Sequence, residues 1–451
     1  MTGDPHYGFY GDDFTGSTDA LEVLARAGLQ TLLFLDIPDE EGMALMEGYE
    51  AVGIAGKTRS LGREAIIAET ERVFSWFSRL DLACFHYKVC STLDSSPQHG
   101  NIGVAVEQGQ RIFRNPWVPF LIGYPALQRW VAFSQLFARD LEGISRLDRH
   151  STMSRHPVTP MDEADIRRHL EKQTAQRITD FNLADLRADP DGRMARMREI
   201  VSGSPSGILV FDTVEEEDLR RSGEIMREML SRFGPFTVGS SAIEAAWTAS
   251  RPRSVDPDGP AGRLERVDQL LVMSGSASPK TERQIAQARE KGWSVLPLEP
   301  WRWFEEGEES ALLESVVDQA LAELDRGRNV VMCSCEGPED PAIRRTREAA
   351  ARTGWRDPLH RIGRLQGKAL RRILDEKPLP RVCVAGGDTS GYVAGALDIL
   401  GLEYAASIDP GGPVCRARSR AFPQLQISLK GGQVGSPCYF ESVREGKKID
   451  P

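Results

Sequence analysis

A glycine pair, an acid and two hydroxyl residues follow a short apolar run near residue 385: Gly386, Gly387, Asp388, Thr389 and Ser390. Glycines permit a tight turn, and the N–H groups that begin a helix attract phosphate. Because the carboxylate of Asp388 would repel phosphate, the pattern favours a nucleotide-phosphate site with Mg²⁺ held by Asp388. An ordinary turn capped by Asp388 or Thr389 is the alternative, and neither GxxxxGK[ST] nor GxGxxG occurs in the sequence.

Two further loops carry groups that suit a polyphosphate. Hydroxyls can line phosphate or ribose, glycines let a backbone approach closely, and a lysine supplies positive charge. The residues are Ser274, Ser276 and Ser278 after one predicted strand, and Lys430, Gly431 and Gly432 after another. For the second loop, a hairpin turn with a surface lysine is the alternative.

Two adjacent carboxylates, Asp12 and Asp13, follow the first predicted strand, and Thr15 comes two residues later. Such a pair can hold the hydroxyls of a polyol, bind a metal or act as a base. An acidic helix start favoured by the helix dipole is the alternative. Two acids with a threonine exceed what a cap needs, so we interpret them as substrate-binding residues, with Asp12 or Asp13 catalytic.

Basic and hydroxyl residues follow the next predicted strands. Arg59 follows an apolar run at 51–56, and Lys88, Ser91 and Thr92 follow a run at 84–87. In open parallel sheets, ligands bind beyond the carboxyl ends of the strands, so these groups and the acids are expected to share one pocket. Arg59, which can bind bidentately, and Lys88 suit a substrate carboxylate. Solvated surface side chains are the alternative.

The elements that must position these groups alternate between strands and helices. A strand at 7–10, a helix at 18–28 and a second strand from 29 form a βαβ unit, which predicts an α/β fold with a largely parallel sheet. A helix is expected from Gly391 through residue 400. The stretch 128–160 shows no regular pattern and is expected to be irregular.

Residues 248–266 combine prolines, glycines and charges without apolar periodicity, and the strand–helix pattern restarts after them. We therefore predict two α/β domains, each with a largely parallel sheet flanked by helices. The predicted N-terminal domain is 1–250, the linker 251–266 and the C-terminal domain 267–451; the resemblance described below implies that they bind a sugar acid and a nucleotide, respectively.

The composition is that of an ordinary globular chain. Its 451 residues suggest two or three domains, with 40% hydrophobic and 27% charged residues. The net charge of −10 argues against nonspecific nucleic-acid binding. Seven cysteines without a CxxC pair indicate reduced thiols. No apolar run is long enough for a membrane span, and the acidic N-terminal residues are unlike a signal peptide, so we expect a cytoplasmic protein.

Several short segments occur in an order that is specific when taken together: YGDDFTGSTDALEVLARAG near the start, KTRS at 57–60, KVCSTL at 88–93, GNIG at 100–103, HPVTPM at 156–161, VFDTV at 210–214, VGSSAI at 238–243, SGSASPKTERQI at 274–285, GGDTSG at 386–391 and KGG at 430–432. With these segments the chain resembles, over nearly its whole length, the four-carbon acid sugar kinase family. The family consists of ATP-dependent kinases with an N-terminal sugar-binding and a C-terminal nucleotide-binding domain.

The resemblance implies that Ser276, Ser278, Gly386–Thr389 and Gly431 or Gly432 contact ATP, and that the N-terminal loops bind the acid sugar. One departure matters, because the family usually has KxDSTLRGN where this chain has KVCSTLDSSPQHGN. Cys90 replaces an acid, Asp94 replaces a base, and five residues separate Asp94 from Gly100. We expect simple tetronates to be poor substrates, and a branched or oxidised acid such as 3-oxo-isoapionate to be better.

The predicted activity is therefore ATP- and Mg²⁺-dependent phosphorylation of a hydroxyl on a small sugar acid. A non-catalytic sensor of sugar acids or nucleotides and an NAD(P)-dependent sugar-acid dehydrogenase are the alternatives. No nucleic-acid or membrane partner is expected, and a homodimer is compatible with the sequence.

Overall fold

The computed structural model describes residues 5–140, 143–156, 158–250, 264–305, 309–355, 358–409 and 411–449, without the side chains of Glu305 and Asp388. The chain divides into two compact units. The N-terminal unit comprises Met1–Leu32 and Asp36–Gly259, and the C-terminal unit comprises Leu33–Leu35 and Pro260–Pro451. The predicted linker at 251–266 lies outside the described residues up to residue 263.

The N-terminal unit contains both strands and helices, as the βαβ pattern predicts. Its strands are β1 (Tyr7–Gly11), β2 (Thr31–Phe34, of which the last two residues are assigned to the C-terminal unit), β3 (Ala51–Ala55), β4 (Cys84–Lys88), β5 (Trp117–Leu121), β6 (Arg129–Ala132), β7 (Gln135–Arg139), β8 (Ile144–Arg146), β9 (Ile178–Phe181), β10 (Gly207–Phe211) and β11 (Phe236–Gly239). Its helices are α1 (Phe14–Arg26), α2 (Glu40–Leu45), α3 (Arg63–Phe77), α4 (Ile102–Phe113), α5 (Ile166–Glu171), α6 (Leu183–Leu186), α7 (Pro190–Ser202), α8 (Glu216–Phe233) and α9 (Ala242–Ala249).

The main sheet of this unit has the order β2-β3-β1-β4-β11-β5-β10-β9. From β3 to β9, each neighbouring pair is parallel. Its central strands are buried along their whole length, which is why they appear in the sequence as continuous apolar runs. Gly11 pairs with both Ala55 and Lys88, and Lys88 pairs with Gly239. The residues that follow these strands therefore emerge at one edge of the sheet.

Helix α1 begins at Phe14, four residues before the start predicted from the sequence. The prediction treated residues 14–17 as a loop because Thr15, Gly16 and Ser17 are poor helix formers. A carboxylate cap at Asp13 and the burial of Phe14 outweigh that low propensity.

The stretch 128–160 is not irregular, because β6, β7 and β8 form a small antiparallel sheet within it. The turn between β6 and β7 places Phe133 and Ser134 at φ 50° and 61°. Asp212, just after β10, accepts hydrogen bonds from both backbone N–H groups, at 2.6 and 2.9 Å. This distant anchor leaves no local signal in the sequence, so the prediction was wrong here.

The C-terminal unit has a second, largely parallel sheet. Its strands are β12 (Leu271–Ser274), β13 (Ser294–Pro297), β14 (Val330–Cys333), β15 (Arg381–Ala385), β16 (Ile399–Asp409), β17 (Gly412–Ser419) and β18 (Gln426–Lys430). Its helices are α10 (Pro279–Glu290), α11 (Pro300–Glu305), α12 (Glu309–Asp325), α13 (Pro341–Arg352), α14 (Pro358–Glu376), α15 (Gly387–Ala396) and α16 (Tyr439–Glu445).

The order of this sheet is β13-β14-β12-β15-β18-β17-β16. The first five strands are parallel, and β17 and β16 add antiparallel pairs. Ala385 pairs with Ser274 on one side and Lys430 on the other, so three predicted phosphate-binding loops leave the sheet at one edge. The two-unit α/β fold with largely parallel sheets is confirmed.

Helix α15 starts at Gly387 and ends at Ala396, earlier at both ends than the predicted helix from Gly391 through residue 400. Asp398 has φ 50°, which interrupts helical geometry, and the chain turns directly into β16. None of the described helices combines the length and the apolar character needed to cross a membrane.

Candidate functional site

The first helix of the N-terminal unit begins at the two adjacent acids. Asp13 is the N-cap of α1, and its carboxylate accepts a hydrogen bond from the N–H of Gly16 at 2.8 Å. Asp12 is buried, and its N–H donates to the carbonyl of Lys88 at 2.8 Å. Although Asp13 does cap the helix, its side chain is 25% exposed, so it can also reach a ligand.

Arg59 binds both carboxylates. Its Nε and Nη2 donate to Asp12 at 3.1 and 2.6 Å, and Nη2 lies 2.8 Å from Asp13 Oδ1. Burial raises the pKa of Asp12, and Asp13 adds to the shift, while the positive charge of Arg59 opposes it. The sequence predicted that Arg59 would bind a substrate carboxylate, but its two-donor edge already binds carboxylates of the protein.

Three charged groups converge on Gly16. A methyl carbon added there would lie 2.6 Å from Asp13 Oδ1, 3.0 Å from Lys88 Nζ and 3.6 Å from Arg59 Nη2. Lys88 is 3% exposed, and its Nζ lies 3.7 Å from Asp19 Oδ2. A carboxylate beside a buried ammonium can accept the proton of a hydroxyl while the ammonium balances the developing negative charge.

The loop after β4 carries the residues that depart from the family pattern. Cys90 Sγ lies 3.0 Å from Thr92 Oγ1. Asp94 accepts a hydrogen bond from Thr159 and lies 3.7 Å from Nδ1 of His156. The acid at position 94 is therefore joined to the HPVTPM segment, a contact that the sequence pattern did not indicate.

The remaining predicted substrate residues lie near the same strand ends. Thr15 is the second residue of α1, and Ser91 and Thr92 form the turn after β4. Gly100 ends the inserted stretch at φ 61°, and a carbon added there would lie 2.7 Å from the carbonyl oxygen of Arg59. The insertion thus packs on the backbone of the loop that carries Arg59.

In the C-terminal unit, glycines bring two of the predicted loops together. A carbon added to Gly275 would lie 2.0 Å from Thr389 Oγ1. A carbon added to Gly386, which has φ 129°, would lie 3.4 Å from the backbone N of Ser276. The N–H of Gly275 also donates to the carbonyl of Ala385 at 2.9 Å. Both loops therefore depend on glycine, because side chains would separate them.

Hydroxyl groups connect the serine loop to the third loop. Ser278 caps α10 by accepting from the N–H of Thr281 at 3.1 Å, and it donates to the carbonyl of Gly432. Thr281 Oγ1 donates to Ser276 Oγ at 3.0 Å. A carbon added to Gly432 would lie 2.6 Å from Ser276 Oγ, so Gly432 and the serines are in close contact.

Lys430 ends β18 inside this group of loops. Its Nζ donates to Thr281 Oγ1 at 3.1 Å and to the carbonyl of the adjacent Gly431 at 3.0 Å. Burial lowers the pKa of Lys430 to about 8. No carboxylate forms an ion pair with Lys430 among the described residues. An incoming polyphosphate would supply the missing negative charge.

These features fit a nucleotide polyphosphate. Two helix starts, at Pro279 and Gly387, lie beside the loops. Among the atoms that the structure describes, Ser274 Oγ and Gln366 Oε1 are buried without a hydrogen-bond partner. The side chain of Asp388, the predicted magnesium ligand and catalytic acid, lies outside the described residues. Elsewhere in the described residues, no group of three or more His, Cys, Asp or Glu is placed to hold a metal ion.

Each of the two units matches a known family model. Residues 7–247 match a family model described as a sugar-binding N-terminal domain, and residues 271–440 match one described as a nucleotide-binding C-terminal domain. The chain belongs to the four-carbon acid sugar kinase family. The predicted family is thereby confirmed.

Members of the kinase family match the chain over almost its full length. It is 41% identical to a 3-oxo-isoapionate kinase from Paraburkholderia graminis, over 97% of this chain and 94% of that protein. It is 28% identical to 3-oxo-tetronate kinases from Pseudomonas fluorescens and Cupriavidus necator, with 97% of this chain and 96% of each relative covered.

Two solved structures share the fold of this chain. One from Salmonella typhimurium LT2 has a TM-score of 0.75 at 24% identity and covers 97% of this chain and 98% of that one. Another, from Haemophilus influenzae, has a TM-score of 0.70 at 22% identity, with 97% and 99% covered.

Sequence reasoning missed several residues at these edges. Asp19 lies in α1 and Thr281 near the start of α10; the sequence placed the first in a helix and the second at the end of a loop, and neither was singled out as a site residue. Gln366 is on α14, and its Nε2 donates to the carbonyl of Ser274 at 3.0 Å. Arg129 lies in the stretch predicted to be irregular. Neither of these two has a local signal, because distant elements bring them to the edge.

Proposed function

We propose that the protein is an ATP-dependent kinase that phosphorylates a hydroxyl of a small sugar acid, with 3-oxo-isoapionate as the favoured acceptor. The observation that carries the proposal is the convergence of Asp13, Lys88 and Arg59 on Gly16, within the part of the chain that matches a sugar-binding domain. Membership of a kinase family favours this activity over a dehydrogenase or a sensor.

In this proposal, Asp13 accepts the proton of the attacking hydroxyl. It is the more exposed of the two acids, and Gly16 and Arg59 fix its orientation. The positive charge of Arg59 offsets the repulsion between the carboxylates of Asp12 and Asp13. The ammonium of Lys88 stabilises the alkoxide as it forms. Positioning and charge neutralisation account for most of the rate in phosphoryl transfer.

The C-terminal unit would bind ATP in the group of loops around Lys430. Lys430 would neutralise phosphate oxygens, and Ser276, Ser278 and the backbone at Gly386 and Gly432 would approach the phosphates closely. Mg²⁺, when bound, would neutralise charge on the phosphates, and Asp388 is the predicted ligand. A cytoplasmic location fits this use of ATP.

A coupled assay of ADP release tests the proposal. It compares 3-oxo-isoapionate, 3-oxo-tetronate and other four- and five-carbon sugar acids at saturating ATP. We expect 3-oxo-isoapionate to exceed the linear acids by at least about tenfold in kcat/KM, since a polar group left unpaired in a dry site discriminates strongly. ADP release that is equal with every acid and without acid would contradict the proposal.

A further inference from the structure

Arg129 lies at the same edge of the N-terminal sheet as Asp13 and Lys88. It begins β6, and its N–H donates to the carbonyl of Tyr124, beyond the carboxyl end of β5, at 3.2 Å. Only β11 separates β5 from β4, the strand that ends at Lys88. Two residues after Arg129, Val131 donates to the carbonyl of Thr213, beyond the end of β10, at 2.8 Å.

Within the described residues, the Nε–Nη2 edge of the Arg129 guanidinium has no hydrogen-bond acceptor. Its Nη1 donates to the carbonyls of Leu127 and Gln128 at 3.1 and 3.0 Å. Its Nε is buried and has no acceptor. Within the part of the chain that the structure describes, Nη2 donates no hydrogen bond and no acid pairs with the group. Arg59 uses the same Nε–Nη2 edge to bind Asp12.

Among the described residues no carboxylate forms an ion pair with Arg129, and Asp140 lies against His150 instead, with its Oδ2 3.8 Å from His150 Nε2. The thiol of Cys90 influences the pKa of Arg129, and Arg129 influences the pKa of the His150 imidazole. Burial lowers the pKa of His150, the carboxylate of Asp140 opposes this shift and Arg129 adds to it; the net shift is downward, so this imidazole is neutral at pH 7. A partly buried guanidinium without a paired anion carries a desolvation cost, and a bound carboxylate would reduce that cost.

Cys90 connects Arg129 with the proposed catalytic groups. Its thiol contributes to the pKa of both Arg59 and Arg129, in each case raising it. Cys90 itself follows Lys88 by two residues. A small acid held between these groups could therefore place its carboxylate on Arg129 and a hydroxyl beside Asp13.

We propose, on the basis of the proposed function, that Arg129 binds the carboxylate of the sugar acid through Nε and Nη2, and that Arg59 is a positioning residue for Asp12 and Asp13. The geometry of a guanidinium edge matches that of a carboxylate, with two parallel N–H···O bonds. The assignment moves the anchor from Arg59, whose edge is occupied, to the arginine whose edge is free.

The test compares each acid with its uncharged primary amide in the ADP-release assay. Arg129→Met should lower kcat/KM for the acid by at least about tenfold, the lower end for a charge-assisted pair. Its kcat/KM for the amide and its KM for ATP should stay within about twofold of the unmodified enzyme. Retained turnover of the amide also shows that the variant is folded.

Two further variants serve as controls. Arg139→Met removes an exposed arginine from β7, the strand paired with β6, and should change neither substrate. Arg59→Met should lower turnover of acid and amide alike, because it releases the catalytic carboxylates. If Arg129→Met does not fold, Arg129→Lys keeps the charge without the paired donors and should still lose activity selectively on the acid.

An acid-over-amide preference that survives in both Arg129 variants would overturn the assignment, as would a rise in the KM for ATP instead of the KM for the acid. The proposed function would stand in that case. An unmodified enzyme that phosphorylates none of the acids would overturn both the proposed function and the role of Arg129.

Discussion

Gly16→Ala should lower the activity of the enzyme while leaving its stability nearly unchanged, because it places one methyl group among the charged groups of the proposed site. The added carbon would sit 2.6 Å from Asp13 Oδ1, whereas ordinary contacts begin at 3.4 Å. The carboxylate must therefore move by about 0.8 Å. A displacement on the order of 1 Å in a catalytic group can cost about a hundredfold in rate, so we expect kcat to fall by roughly ten- to a hundredfold.

The stability of this variant should hardly change. Replacing glycine by alanine in a helix raises the free energy of unfolding by about 0.5–1 kcal/mol. Moving Asp13 weakens the cap on Gly16, which costs about 1 kcal/mol. The two effects offset each other, so urea unfolding should give a free energy within about 1 kcal/mol of the unmodified protein.

Gly192 provides a matched control. It occupies the same position after a capping aspartate, since its N–H donates to Asp189 Oδ1 at 2.8 Å. A carbon added there would lie 3.4 Å from that oxygen, an ordinary contact. Gly192→Ala should therefore retain full activity and gain up to about 1 kcal/mol. Gly16→Ala with kcat within twofold of the unmodified enzyme would refute a catalytic site at Asp13 and Lys88.

Three further predictions concern pH, specificity and stability. Since the amine of Lys430 has a pKa of about 8 in the free protein, kcat/KM for ATP should fall as pH rises through about 8, and Lys430→Arg should abolish that fall. The double variant Cys90→Asp/Asp94→Arg should raise kcat/KM for 3-oxo-tetronate relative to 3-oxo-isoapionate by at least about tenfold; an unchanged ratio would remove this loop from substrate choice. Glu244→Ala breaks a fully buried contact with His86 (Nδ1–Oε1 2.5 Å) and should lower the free energy of unfolding by about 3–5 kcal/mol, measured by urea titration; a loss below 1 kcal/mol would contradict a structural role for the pair.

Much of the fold could be predicted because its strands are short apolar runs that end in glycine or polar residues. Lys88 and Lys430 were expected directly after strands, and both are the last residues of strands. The α/β class followed from this pattern without any distant contact. The hairpin formed by β6 and β7 could not be predicted from the local pattern, because its turn depends on Asp212, about 80 residues away in the sequence.

The candidate site could be predicted only in its residue types. The acids at 12 and 13 and the arginine at 59 were expected at one edge, and the structure brings them together. Which group each arginine binds is decided by side-chain geometry. Arg59 and Arg129 have the same chemistry, and only the structure shows that the edge of Arg59 is occupied while that of Arg129 has no acceptor among the described residues.

The most direct test of the central claim is the identity of the product. The enzyme is incubated with ATP, Mg²⁺ and 3-oxo-isoapionate, and the products are followed by mass spectrometry and ³¹P NMR. We predict ADP and an acid that has gained one phosphoryl group on a hydroxyl, in equal amounts. ADP with free inorganic phosphate and an unchanged acid would contradict kinase activity toward this substrate.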